Sequence, residues 1–219
     1  MSLEEPSPGH SPRSGPEVEQ NSLGLRRVSD VWSLRALAHP VRLALLEQLG
    51  IVGPMTATEV GERIGESPTT CSFHLRQLAK YGFVEEAGGG KGRARPWRMT
   101  SMGLELSSDH KDPEARIAQA AVARMFMGRA LERYRNWDTT RDSYPEEWRQ
   151  AAEESELVLF LTAAELKALN HELLAILLPR SRERLVDPSL RPPGSLPVEM
   201  LIFSYPLGPP GQGGTGPAT

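Results

Sequence analysis

A single cysteine, Cys71, in 219 residues leaves no partner for an internal disulfide and no thiol pair for a metal, so a reducing, cytoplasmic setting is expected. Long apolar runs are missing too. The longest, 173–178, stops at Pro179 and falls far short of the ~20 residues a membrane helix takes. The start has no basic stretch leading into an apolar one, so neither a membrane span nor a secretory signal is expected. Charge of one sign is not in excess: 25 basic against 28 acidic residues give −3, which argues against wholesale polyanion binding. Nucleophile elbow, P-loop, dinucleotide fingerprint and metal-ligand cluster are all missing, so no enzyme activity, cofactor or metal is expected. The histidines His10, His39, His74, His110 and His171 lack the i, i+4 spacing and the cysteine neighbours that metal sites favour.

What is plentiful is glycine and proline, 20 and 19 residues, gathered at the ends. Residues 1–28 and 208–219 therefore read as disordered tails. Between them the chain divides into two modest units, 29–106 and 107–207.

In the first unit, Ser29 is expected to cap a helix carrying Val31, Leu34 and Leu37 on one face, ending before Pro40. His39-Pro40 opens a second helix, with proline at the first helical position where its missing N–H costs nothing; Val41, Leu45, Leu46 and Leu49 face inward, and Gly50 and Gly53 close it. Thr56-Ala57-Thr58-Glu59 is a capping box, in which hydroxyl and carboxylate each satisfy an orphan N–H. That helix ends near Gly65. Ser67-Pro68 then starts the next, which runs to Gly82.

The spacing is that of a helix-turn-helix. The second helix of the pair puts Cys71, Leu75 and Leu78 on a buried stripe and turns Ser67, Thr69, Thr70, Ser72, Phe73, Arg76, Gln77 and Lys80 toward other faces. After it, 83–87 and 96–100 read as the two strands of a hairpin joined by a Gly-rich turn that carries Lys91, Arg93 and Arg95. From 67 to 103 six cations stand against Glu85 and Glu86, a local balance of +4.

Leu34-Arg35-Ala36-Leu37-Ala38-His39-Pro40-Val41-Arg42-Leu43, together with Ser72-Phe73-His74-Leu75-Arg76-Gln77-Leu78 and the basic hairpin, resembles the ArsR-type winged-helix transcription regulators over about residues 29–103. The resemblance implies that the second helix enters the DNA major groove, that the wing touches phosphate or minor groove, and that the working unit is a homodimer. Metal-sensing members carry paired cysteines in the helix before the recognition helix; this chain has Thr58-Glu59-Val60-Gly61-Glu62-Arg63 there, and no thiol. Independently, a helix start offers free N–H groups to phosphate, and its hydroxyls reach base edges or backbone. Arg76 and Gln77 have the chemistry for bidentate contacts to guanine and adenine.

In the second unit, Pro113 opens a long helix to about Trp137. Ala120, Ala123, Met127, Ala130, Tyr134 and Trp137 follow 3,4,3,4,3 spacing, the stripe of a helix that packs on another helix, and dimerisation is its expected use, with packing on the first unit as the alternative. A short helix follows Pro145. Residues 157–161 read as an apolar strand, Thr162-Ala163-Ala164-Glu165 as a second capping box, and Leu166, Leu169, Leu173 and Ile176 as the face of a helix; a Pro/Arg-rich loop then leads to a final strand over 198–205. Trp137, Tyr144, Trp148, Phe160, Phe203 and Tyr205 could line a pocket for an unidentified small-molecule effector or form a plain core.

The fold class read from these elements is α+β: a mainly helical winged helix-turn-helix unit, a long dimerisation helix, and a small α+β accessory domain. The function read from them is a sequence-specific regulator of transcription, a homodimeric repressor on an inverted-repeat operator in double-stranded DNA. A winged-helix protein-interaction adaptor is the alternative, because fold alone does not fix function.

Overall fold

The structure, a computed structural model, describes residues 20, 24–88, 95–101, 103–106 and 112–208. It is α+β and mostly helical. Helices α1 (Val31–Leu37), α2 (Pro40–Val52), α3 (Ala57–Ile64) and α4 (Pro68–Lys80) form the head. Two small sheets flank them: β2 (Val84–Glu86) pairs antiparallel with β3 (Trp97–Met99), and β1 (Arg26–Val28) pairs parallel with β4 (Leu104–Leu106). Helix α5 (Pro113–Thr140) leads through a turn of 3-10 helix to α6 (Glu146–Ala151) and the 24-residue α7 (Ala163–Val186).

The caps explain most of the helix starts. His39 caps α2 with its ring, Nδ1 accepting from the Val41 N–H at 3.2 Å, and Pro40 occupies the first helical position. Thr56 and Glu59 form the capping box of α3, and Thr162 and Glu165 that of α7. At α1 the cap is one residue later than the sequence pattern suggests. Asp30, not Ser29, takes it, with its carboxylate accepting from Ser33 N at 2.8 Å.

A single core binds the head to the first half of α5. Leu34, Leu37, Leu43, Leu45, Leu75 and Leu78 are fully buried, with Val60 and Phe83 beside them. Ala115, Ala118 and Val122 of α5 belong to the same cluster. Small side chains at those three positions let α5 lie close against α1, and none of the three belongs to the predicted stripe.

The structure corrects three expectations about the chain's course. The tail expected through Val28 ends earlier, since 26–28 form β1 and both Arg26 and Val28 are buried. Helix α7 continues through Pro179 to Val186, into the stretch read as a Pro/Arg-rich loop; the proline removes one backbone hydrogen bond, and Arg191 secures the last turn by donating to the Arg184 carbonyl at 3.0 Å. Residues 157–161 and 198–205 are extended yet make no ladder, so the second unit holds no sheet among its described residues, and the α+β character comes from the two sheets of the first.

Candidate nucleic-acid interface

The turn between α3 and α4 is built by two glycines with different duties. Gly65 ends α3 in the left-handed conformation, φ +72°, which glycine adopts without a Cβ penalty. Gly61 lies within α3, where a Cβ would come 2.6 Å from the Glu66 carbonyl oxygen. That close approach allows the Glu66 N–H to reach the Gly61 carbonyl at 3.0 Å and brings the start of α4 tight against α3.

Ser67 caps α4, its Oγ accepting from Thr70 N at 3.1 Å and lying 2.8 Å from the Thr70 hydroxyl. Two of the eight candidate contact residues thus hold the helix start in shape, while Thr69 beside them is exposed. Inward, Cys71, His74, Leu75 and Leu78 are buried. Outward stand Phe73, 55% exposed, with Arg76 and Lys80; Ser72 and Gln77 are half-buried at the margin. Arg76 folds back on its own helix, its Nε donating to the Ser72 carbonyl at 3.0 Å. Lys80 lies 5.8 Å over the Tyr81 ring.

Sequence reasoning missed two anchors of this helix. Arg26 reaches from β1 to the C-terminal end of α4, where one guanidinium nitrogen donates to the Tyr81 carbonyl at 2.6 Å while the group lies 3.9 Å from the Phe83 ring centroid. A cation at a helix C-terminus complements its dipole. The second anchor is His39, whose ring stacks on His74 with centroids 4.4 Å apart. Burial, then the Arg42 guanidinium, lowers the His39 pKa; His74 is lowered by burial first, then by His39 and Arg42, with Glu66 opposing in both. Neither anchor had a local sequence signal: Arg26 sat in a stretch read as tail, and a ring pair 35 positions apart has no periodicity.

Cys71 behaves as a core residue. Burial, and secondly Glu66, push its thiol up, so it stays neutral and unreactive.

The wing differs from its sequence picture in one respect. Arg98 lies directly opposite Glu85 in the β2–β3 register and pairs with it at 2.7 Å; Arg95 pairs with Glu86 at 2.7 Å. Two of the local cations are therefore already matched by the two carboxylates. Each member of both pairs is at least 45% exposed, and surface pairs of this kind contribute ~0–1 kcal/mol, so a phosphate can displace the carboxylate. Lys91 and Arg93 lie outside the described residues.

Along the predicted dimer stripe of α5, Ala130 is buried, Ala120, Ala123 and Trp137 are half-buried, and Met127 and Tyr134 are 48% and 39% exposed. Trp137 packs edge-on against Tyr144, centroids 4.9 Å apart, whereas Phe160, Phe203 and Tyr205 point outward. A hub absent from the sequence reading joins the two halves: Glu47 of α2 accepts from Arg129 and Arg133 of α5, and Arg133 also holds Glu199. Burial raises the Glu47 pKa, but hydrogen bonds and charge from the two guanidiniums outweigh it and leave a net lowering.

Among the described residues no group of three or more His, Cys, Asp or Glu is placed to hold a metal ion, and no helix is long and apolar enough to cross a membrane.

The helix-turn-helix domain family matches residues 37–87, from the end of α1 through β2. No curated protein matches the chain. Among solved structures, the chain is similar to a mutant form of Lactococcus lactis ZitR, at 15% identity over 74% of this chain and 82% of that one; the TM-score of 0.25 is too low to carry any argument. The helix-turn-helix assignment therefore stands on residues 37–87 and on the geometry of α3, α4 and the hairpin.

Proposed function

We propose that this chain is a sequence-specific DNA-binding regulator of transcription. It acts as a homodimer on an inverted repeat with half-sites about one helical turn, ~34 Å, apart, and represses by occluding a promoter. The observation that carries the reading is the outer surface of α4. Its start is capped by Ser67, and Thr69, Phe73, Arg76 and Lys80 stand outward, with Ser72 at the margin, from a helix whose other face is locked into the core. The Arg76 donor now spent on Ser72 is a local contact that a base edge can replace. Gln77, Thr70 and the wing cations Lys91, Arg93 and Arg95 complete the surface, the wing holding phosphate. The α5 stripe of Ala120, Ala123, Met127, Ala130, Tyr134 and Trp137 joins the two subunits. An effector acting on the C-terminal half would reach the head through Glu199, Arg133 and Glu47.

The test is selection of duplexes from a random library by the purified protein at near-physiological salt. A two-fold symmetric motif is expected. Arg76→Ala should relax preference at one position per half-site by ~1–3 kcal/mol, and Arg93→Ala with Arg95→Ala should flatten the salt slope by about 0.9 for each phosphate lost. The pairing of Arg95 and Arg98 with Glu86 and Glu85 favours a second reading, an adaptor that binds protein through this face. Absence of any enriched motif, with salt-insensitive retention, would favour the adaptor.

A further inference from the structure

The C-terminal half presents an imbalance that the head does not. From Glu146 to Gly208 no residue with described burial is buried, and that stretch includes α7. Its apolar side chains are nonetheless numerous. Over 157–161 five consecutive apolar residues are 42% to 92% exposed, Phe160 most of all, and over 198–205 Val198, Met200, Phe203 and Tyr205 are each more than half exposed.

Both segments are extended, and neither makes a ladder. A strand apolar on both faces needs cover on both faces, and an unpaired apolar edge is a template for another chain. Monomers rarely expose contiguous apolar patches beyond ~300–600 Å². An aromatic side chain carries roughly 150–250 Å², so Phe160, Phe203 and Tyr205 at 92%, 54% and 67% exposure leave on the order of 400 Å² uncovered. The aliphatic residues of the two segments add to this, so their exposed apolar area together is on the order of the ~800 Å² per partner of a stable interface.

The chain's own polar groups fix this arm without covering it. Arg133 holds Glu199 at 2.5 Å, Ser204 Oγ bonds Asn170 Oδ1 at 2.9 Å, and Arg191 reaches the Val52 carbonyl at 3.4 Å. The charge of Glu199 is thereby matched, and 157–161 carries none. No like-charge contact opposes the meeting of two identical arms, and a largely apolar, uncharged surface of this size is the composition of homodimer interfaces rather than of transient ones.

We propose that 157–161 and 198–205 form the interface with a second copy of this chain, the extended segments pairing as strands between subunits about a two-fold axis. The inference deepens the dimer proposed above and is independent of DNA.

It is tested by sedimentation of the full chain without DNA, beside hydrogen exchange. Wild type sediments as a dimer at micromolar concentration. Phe160→Glu with Phe203→Glu, two side chains that touch no core, raises the dissociation constant ~100-fold or more while the far-UV spectrum of the helices is retained. In the wild type, which removes any question of misfolding, amides of 157–161 and 198–205 are protected, and protection is lost on dilution to the monomer. A monomeric wild type overturns the proposal, as does protection independent of concentration, which would mean pairing within one chain. If Met127→Glu with Leu131→Glu dissociates the dimer and the arm variant does not, the arm proposal falls while the regulator and its α5 contact stand.

Discussion

The imidazoles of His39 and His74 stack 4.4 Å apart, and each carries a second duty: His39 caps α2, and His74 sits in the buried face of α4. Both are held below the ordinary histidine pKa of about 6.5, by burial first and then by their charged neighbours. The folded state thus prefers the neutral rings, and the unfolded chain takes up protons first as pH falls. The stabilising preference is complete above about pH 6.5 and is lost as pH falls through the depressed folded values. Chemical denaturation at pH 7.5, 6.5 and 5.5 should show the loss, and His74→Gln should reduce its slope by up to about 1.4 kcal/mol per pH unit. An unchanged slope would remove His74 from the account.

Arg26 offers a separable test of charge against packing. Its Nε and Nη1 are buried without a hydrogen-bond partner among the described residues, while another nitrogen holds Tyr81. Arg26→Ala should cost roughly 2 kcal/mol through the lost charged hydrogen bond and lost stem packing. Arg26→Met keeps the stem and removes the unpartnered donors, so it should recover at least half of that loss in thermal unfolding.

Gly61→Ala should destabilise although alanine is the better helix former by ~1 kcal/mol. The added Cβ meets a backbone oxygen, which no rotamer change can move, so the turn between α3 and α4 must shift. The predicted signature is a lower unfolding midpoint together with loss of whatever ligand α4 binds. A stabilised variant would show that the turn gives way freely.

Glu47 holds two guanidiniums that are about a third exposed. Glu47→Ala should cost ~2 kcal/mol, below the 3–5 of a fully buried pair because water partly compensates the two arginines. Since the net shift of this carboxyl is downward, its contribution is present above the unfolded value near 4.3 and fades as pH falls through the folded one. Faster hydrogen exchange along α5 in the variant is the structural readout.

The parts of the fold legible in the sequence are those fixed within a few residues. Thr56 and Glu59, Ser67 and Pro68, and Thr162 and Glu165 mark helix starts because a cap is satisfied by its own next turn. The outward residues of α4 follow from the buried stripe of Cys71, Leu75 and Leu78 by period alone. What was not legible depends on distant partners. Three residues such as 26–28 have no pattern until β4 lies beside them, and neither Arg95 nor Glu86 announces that the other will neutralise it. Over 157–161 the local signal is that of a strand, but a strand is defined by its neighbour, and no described residue supplies it.

The parallel ladder of β1 and β4 has a temporal consequence. Arg26 and Leu104 stand opposite each other although 78 positions separate them in the chain. At ~5–20 residues per second, synthesis reaches Leu104 roughly 4–16 s after Arg26. Strand β1 is thus made before the head helices yet is among the last parts of the head to dock, and α4, complete at residue 80, waits roughly 1–5 s at that rate for Leu104, without the guanidinium that closes its far end. A nascent chain arrested before residue 104 should carry all four head helices and an unanchored Tyr81 carbonyl, so completion of α4 is a late event of the protein's birth rather than an early one.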